Sequence, residues 1–257
     1  MLRWLIACLL IASAQSALAD NLGDPMTFKM YTYDAFFGPH VEIEADGVIL
    51  LDTPDQFRAF LAGKDIPPGS DVYLTSEGGN VYGGLKLGRL IREHKFNTVV
   101  GAHHRISDRT INALHQGGVG LLALFSNMPF RAPTPPSQVS DTDRWASYCI
   151  SSCTFAMLGG VERFVGFSSI YAVHQFHFNC DDPQLAHEAL CTDPSVSSSS
   201  SQVLSADLAV YLQEMGISQE FLKDMVLAEP NKVNVLIGPD LVKYHICTNL
   251  FECAKVR

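Results

Sequence analysis

Polar and apolar positions along this chain fall into two alternating patterns. Residues 26–33 and 40–51 read as strands, the second broken by a turn at Ala45-Asp46-Gly47. Residues 53–61 change to a helical pattern, with Thr53 as cap and Pro54 in the first turn. Residues 71–75 form a short buried strand around Val72-Tyr73-Leu74. Residues 82–94 place Leu85, Leu87, Leu90 and Ile91 on one helical face, and residues 97–101 return to strand. Strand–helix–strand order of this kind implies an α/β fold with parallel pairing and right-handed crossovers.

The pattern then loosens. Residues 103–145 hold the apolar run Gly120 to Phe125 and the proline-rich stretch RAPTPPSQ. They read as an insertion, at about 102–147, between a strand and a serine-bearing helix. The apolar run fits a lid, an oligomer contact or a buried helix. Residues 170–178 alternate again and predict a strand. A Ser-rich loop is expected at about 179–204, because five consecutive serines at 197–201 need no packed structure. Ser205 then caps a helix that Gly216 stops, Ser218 caps another, and residues 239–244 form a last turn. No internal repeat is visible.

The first residues carry a different message. Arg3, the apolar run Trp4 to Ala12 and the small-x-small triplet Ala17-Leu18-Ala19 predict a secretory signal peptide over residues 1–19. The apolar run is too short for a membrane span. The remainder, residues 20–257, is long enough for one large domain, expected in the periplasm or secreted. Formal charge is −9, from 18 Lys+Arg and 27 Asp+Glu, without a basic block. That argues against nucleic acid or an anionic lipid surface as partner. Cleavage removes Cys8 from seven cysteines and leaves an even set, which favours disulfides in an exported chain. Short sequence separation suggests Cys149–Cys153, Cys180–Cys191 and Cys247–Cys253. No CxxC pair supports a metal site, and none is expected.

Three features carry chemistry. SEGG (Ser76 to Gly79) follows a buried strand, where a glycine turn exposes an N–H to a ligand. The same glycines also suit a plain strand-to-helix turn. A dinucleotide site fits less well, since the G-x-G-x-x-G spacing is missing. CISSCT opens an apolar helix with Ser151 and Ser152. A serine there sits beside unpaired amides at the positive end of the helix dipole, as a nucleophile or simply as an N-cap. His174 lies in the next strand-like stretch, as a base or as a core histidine. His177 would point to the other face of that strand, and His103 and His104 follow an earlier strand.

Together these residues resemble the Clp-protease/crotonase superfamily, and in particular exported bacterial relatives of the Clp protease proteolytic subunit. The resemblance covers roughly residues 41–101 and 148–244. It rests on SEGG, on a small residue and serine opening an apolar helix that ends in Gly160, on His174-Gln175, and on the Cys-x-Ser-x-Cys arrangement of CISSC. It implies a Clp-protease/crotonase-like fold of repeated ββα units, and an exported serine hydrolase, most naturally a peptidase acting on peptide or protein. Ser151 would be the nucleophile, His174 the base, and the Gly79 and Ser152 N–H groups the oxyanion hole. The family's acid has no counterpart before Pro239-Asp240; Asn234 or Asn231 are the amides placed to orient the imidazole. A serine–histidine dyad is one alternative, and a catalytically silent binding or scaffold protein on the same fold is another. No cofactor is implied, and coenzyme A chemistry is disfavoured by export and by the lack of a basic cluster. No ATPase partner is expected where ATP is absent. Homo-oligomerisation is a further implication of the family.

Overall fold

The computed structural model describes residues 23–35, 38–101, 147–166, 169–176, 180, 188–227, 232–248 and 253. The predicted signal peptide, the predicted insertion up to residue 146, Asn231, His103, His104 and His177 lie outside them.

Nearly half the chain is apolar, and the fold buries that surface as mixed α/β layers. β1 (Thr27–Ala35) and β2 (Gly38–Asp46) form an antiparallel ribbon in register from Thr27 opposite Asp46 to Ala35 opposite Gly38. β3 (Asp71–Thr75), β4 (Asn97–Val100) and β6 (Arg163–Val165) extend it in parallel, in the order β1-β2-β3-β4-β6. Alternation decides the faces. Val41, Ile43, Ala45, Val72, Leu74, Val100 and Val165 enter the core, while His40, Glu44, Asp71 and Tyr73 lie on the half-covered side. β5 (Tyr148–Ile150), β7 (Ile170–Val173) and β8 (Asn234–Val235) make a second, smaller sheet, parallel between β5 and β7 and antiparallel between β7 and β8. The strand–helix–strand units pair in parallel as expected, and antiparallel pairs flank them at β1–β2 and β7–β8.

The two sheets are stitched where β3 ends. Ser76 N–H donates to the Tyr148 carbonyl at 2.8 Å, and Ile150 N–H donates to the Ser76 carbonyl at 3.0 Å. This link places SEGG against the segment leading into CISSC.

Helices α1 (Thr53–Leu61) and α2 (Val81–Glu93) cover the larger sheet, the second capped by Asn80, whose side chain accepts from Gly83 N–H at 2.9 Å. α3 (Ser152–Leu158) is buried at every position, as expected of a helix apolar all round. It packs on α2 closely enough that a Cβ at Gly84 would sit 2.3 Å from the Ser152 carbonyl. Tyr171 and Tyr211, both fully buried, donate their hydroxyls to the Thr154 and Phe155 carbonyls at 3.3 and 2.6 Å. Burial pushes both phenols well above their ordinary pKa, so they stay protonated donors.

Two expectations are corrected downstream. After the short α4 (Ala189–Thr192), the serine run is not loop but part of α5 (Pro194–Met215). Asp193 caps it in place of Ser205, accepting from Ser195 N–H at 2.8 Å, and Pro194 suits the first turn. The hydroxyls of Ser199, Ser201 and Ser205 donate to carbonyls four residues back, so the serines satisfy themselves along the helix. Buried Leu204, Leu208, Tyr211, Leu212 and Met215 anchor its second half, from which the polar half propagates. The strand predicted over residues 170–178 stops at Val173, so His174 lies just beyond β7. α6 (Glu220–Leu227) and α7 (Gly238–Lys243) complete the described elements.

All three suggested cysteine pairs are disulfides: Cys149–Cys153, Cys180–Cys191 and Cys247–Cys253, with Cα–Cα distances of 5.2, 5.4 and 6.3 Å. They fit an exported protein. Among the described residues no helix is long and apolar enough to cross a membrane. Closing a loop as short as the first of these stabilises by about 2 kcal/mol on the chain-entropy model.

Candidate active site

Ser151 sits in the single residue between β5 and α3. Its N–H donates to the Ala172 carbonyl at 3.0 Å, which ties the turn to β7. The next element starts at once, so the chain must reverse in one step, and Ser151 adopts φ 58°, ψ −125°. Such a conformation costs a non-glycine residue about 1–3 kcal/mol and persists only where its surroundings impose it. Here the imposition is visible. A Cβ at Gly78 (φ 106°) would lie 2.6 Å from the Ser151 Cβ and 3.1 Å from the Ser152 nitrogen, so only glycine lets SEGG pack against the turn. Replacing Ser151 by glycine removes this strain. The expected result is a melting temperature several degrees higher than that of Ser151→Ala, at about 2–4 °C per kcal/mol for a chain of this size. Calorimetry of the two variants checks it.

The strained turn delivers the Ser151 side chain, half-buried and free of any capping bond, to a small, shallow open cleft. Val81, Phe155, Val173, Phe176 and Met225 give it apolar walls, and its polar side chains are Ser151 and His174. Ser152 has a different fate. Its side chain is fully buried against Gly84, and its hydroxyl has no hydrogen-bond partner among the described residues. Of the two adjacent serines, it is Ser151 that lines the cleft.

His174 Nδ1 lies 2.8 Å from the Gln175 carbonyl oxygen. A carbonyl only accepts, so Nδ1 carries the proton and the neutral ring keeps its lone pair on Nε2, the form a base requires. A main-chain oxygen thus accepts from Nδ1, and Asn231, one of the two amides expected to orient the ring, lies outside the described residues. Asn234 stands opposite Val173 in the β7–β8 ladder, one residue from the imidazole, and the Nδ1 proton goes to Gln175 instead. Among the described residues no hydrogen bond joins the Ser151 hydroxyl to the His174 ring. Such bonds are often long without substrate and tighten when it binds.

Two amides converge on the turn. In the parallel bridge between Ile49 and Gly79, the bonds are made by the Gly78 carbonyl to Ile49 N–H (2.7 Å) and by Asn80 N–H to the Ile49 carbonyl (2.7 Å). Gly79 N–H is therefore not consumed by the bridge. Ser152 N–H is the first amide of α3 and has no intrahelical acceptor. Among the described residues neither amide has an acceptor, and the two segments that carry them are in direct contact through Gly78.

One other cluster of chemical side chains stands apart. The donor atoms of His40, Glu42 and Asp71 lie within 4.8 Å of one another and are the described group that could hold a metal ion. His40 Nε2 is 3.2 Å from Asp71 Oδ2 and 3.6 Å from Glu42 Oε1. Asp71 begins β3 whereas Gly79 comes after its end, so this cluster belongs to the opposite end of the strand from the cleft.

Ser151, His174, Gly79 and Ser152 are all marked by the sequence, and the structure brings their segments together. Two contributors are not. The packing of Gly78 on Ser151 is signalled only by the doubled glycine, and no side-chain pattern reveals the Gln175 carbonyl. No protein-family model matches this chain, and no curated protein matches it either.

Proposed function

We propose that this chain is an exported serine hydrolase of the Clp-protease/crotonase type, most naturally a peptidase. Support comes foremost from the strained, cleft-facing Ser151 beside a histidine whose lone pair is set on Nε2. In this reading Ser151 Oγ attacks a carbonyl carbon while His174 Nε2 takes its proton. The negative charge that develops on the carbonyl oxygen is met by Gly79 and Ser152 N–H, donors already fixed before reaction. Protonated His174 then returns the proton to the leaving amine, and water releases the acyl group by the same steps. The apolar walls favour a peptide or protein substrate that presents an aliphatic or aromatic side chain to the cleft. No cofactor is needed for these steps.

A silent binding protein on the same scaffold is the second reading. It is favoured by residues 231–238, which hold no acid where the family carries one. A fluorophosphonate probe separates the two. The oxidised wild type is expected to label, and Ser151→Ala and His174→Ala to lose labelling, while Ser152→Ala keeps it because that hydroxyl does not face the cleft. Labelling unchanged in Ser151→Ala would sink the hydrolase reading.

A further inference from the structure

We infer that the Cys149–Cys153 disulfide licenses Ser151: the reactive turn is set only in the oxidised chain, so the enzyme stays silent until it reaches an oxidising compartment. This rests on the reading of Ser151 as nucleophile. The two cysteines stand two residues before and two residues after it, and their sulfurs are bonded to each other. Cys149 is fixed in β5, opposite Tyr171 of β7 and bridged to Ser76. Cys153 belongs to the first turn of α3. The bond therefore joins the element before the reversal to the element after it, across the one residue that carries the strain.

The near side of the turn has other supports, in the Ser151 N–H bond to the Ala172 carbonyl and the Gly78 wall. On the helix side, the Thr154 N–H and hydroxyl both reach back to the Ser151 carbonyl, at 3.0 and 2.6 Å. These bonds shape the first turn of α3, and the Tyr171 hydroxyl holds its Thr154 carbonyl to β7 at 3.3 Å, but none of them ties it directly to β5. The disulfide does, and the stabilisation expected from closing so short a loop is similar in size to the strain at Ser151. Without it Ser151 relaxes toward an ordinary backbone conformation, and its hydroxyl swings off the line to His174 and the two amides. A displacement of that order costs a reaction about 100-fold.

Both cysteines are fully buried, so the bond is beyond the reach of reductant in the folded protein and is set once, during folding. The chemistry is thiol–disulfide exchange. The Cys149 and Cys153 thiols give up two electrons and two protons to an oxidising disulfide, the S–S bond forms, and the oxidant leaves as a dithiol. Cys149 and Cys153 are thus positioning residues, and the other two disulfides have no such part.

The test compares fluorophosphonate labelling rates of the oxidised wild type, the double variant Cys149→Ala/Cys153→Ala, and the control Cys247→Ala/Cys253→Ala. Folding is verified by near-ultraviolet circular dichroism. The expected result is a loss of about 100-fold in the first double variant, carried by the inactivation rate constant rather than by probe affinity, with the control within about threefold of wild type. A Cys149/Cys153 variant that labels at the wild-type rate overturns the inference and leaves the hydrolase reading intact. An unlabelled oxidised wild type overturns both. Should the variant not fold, wild type is labelled during oxidative refolding and its free thiols are alkylated. Adducts are then expected only on molecules in which Cys149–Cys153 has closed, and adducts on molecules alkylated at these positions contradict the inference.

Discussion

A single methyl group at position 78 is expected to silence the site and weaken the fold together. In Gly78→Ala the new Cβ would fall 2.6 Å from the Ser151 Cβ and 2.7 Å from the Ile150 carbonyl oxygen, well inside contact distance, at a φ of 106°. Neither neighbour is the loose end of a flexible side chain. One is the root of the Ser151 side chain and the other is main chain in β5, so the β3–α2 turn and the serine turn must move apart. Backbone conformation and overlap together are expected to remove about 3 kcal/mol of stability. Gly63→Ala isolates the first term. Gly63 also has a positive φ, 73°, but nothing lies within 4 Å of its Cβ position, and a loss of about 1 kcal/mol is expected there. Urea unfolding of both variants, with probe labelling of each, checks the pair. Labelling should vanish in Gly78→Ala and persist in Gly63→Ala. A Gly78→Ala protein that labels normally would show that SEGG does not shape the nucleophile.

Arg163 is the second position where a large effect is expected. It is 6 % exposed, yet among the described residues no carboxylate faces it. Its guanidinium instead donates to three carbonyls: Ile246 at 2.7 Å, Gly160 at 3.1 Å and His245 at 3.0 Å. Burial, reinforced by the nearby Arg92 charge, pulls its pKa down to about 10, so it remains a cation at neutral pH. The side chain ties the tail that carries Cys247 to β6, the last strand of the larger sheet. Arg163→Met removes the cation and leaves three carbonyls without donors. The expected loss is about 3 kcal/mol in urea unfolding. Arg163→Lys is expected to recover little of it, because the three N–H bonds of an ammonium spring from one nitrogen and cannot span carbonyls met by three separate guanidinium nitrogens. Wild-type stability in Arg163→Met would mean that the bonds of the Arg163 main chain to Thr248, at 2.8 and 3.1 Å, hold this segment without the side chain.

Much of this architecture was written in local patterns. The period-two runs located β2, β3 and β4, and α2 appeared from four apolar residues on one face. The disulfide pairs came from closeness along the chain, because a small separation leaves few geometries. What the sequence hid was non-local or main-chain. Five serines look like linker, yet each hydroxyl can bond to the preceding turn, and the anchor for α5 lies in Leu208 and Tyr211 far beyond them. His174 looked like a strand residue because Tyr171 and Val173 precede it, but β8 offers only two residues for β7 to pair with, and the strand ends there. The joining of the two sheets depends on one bridge between Ser76 and Cys149, residues too far apart for any periodicity to connect. The acceptor at His174 Nδ1 is a carbonyl, which every residue possesses and none advertises.

Attack by Ser151 on a carbonyl-like electrophile is tested by locating the adduct. Purified, oxidised protein is treated with a fluorophosphonate, digested, and the modified peptide sequenced by mass spectrometry. One phosphonyl group is expected, on Ser151, and none when His174 is replaced by alanine. Folded, oxidised protein that takes up no probe, or that carries it on another residue, would contradict it.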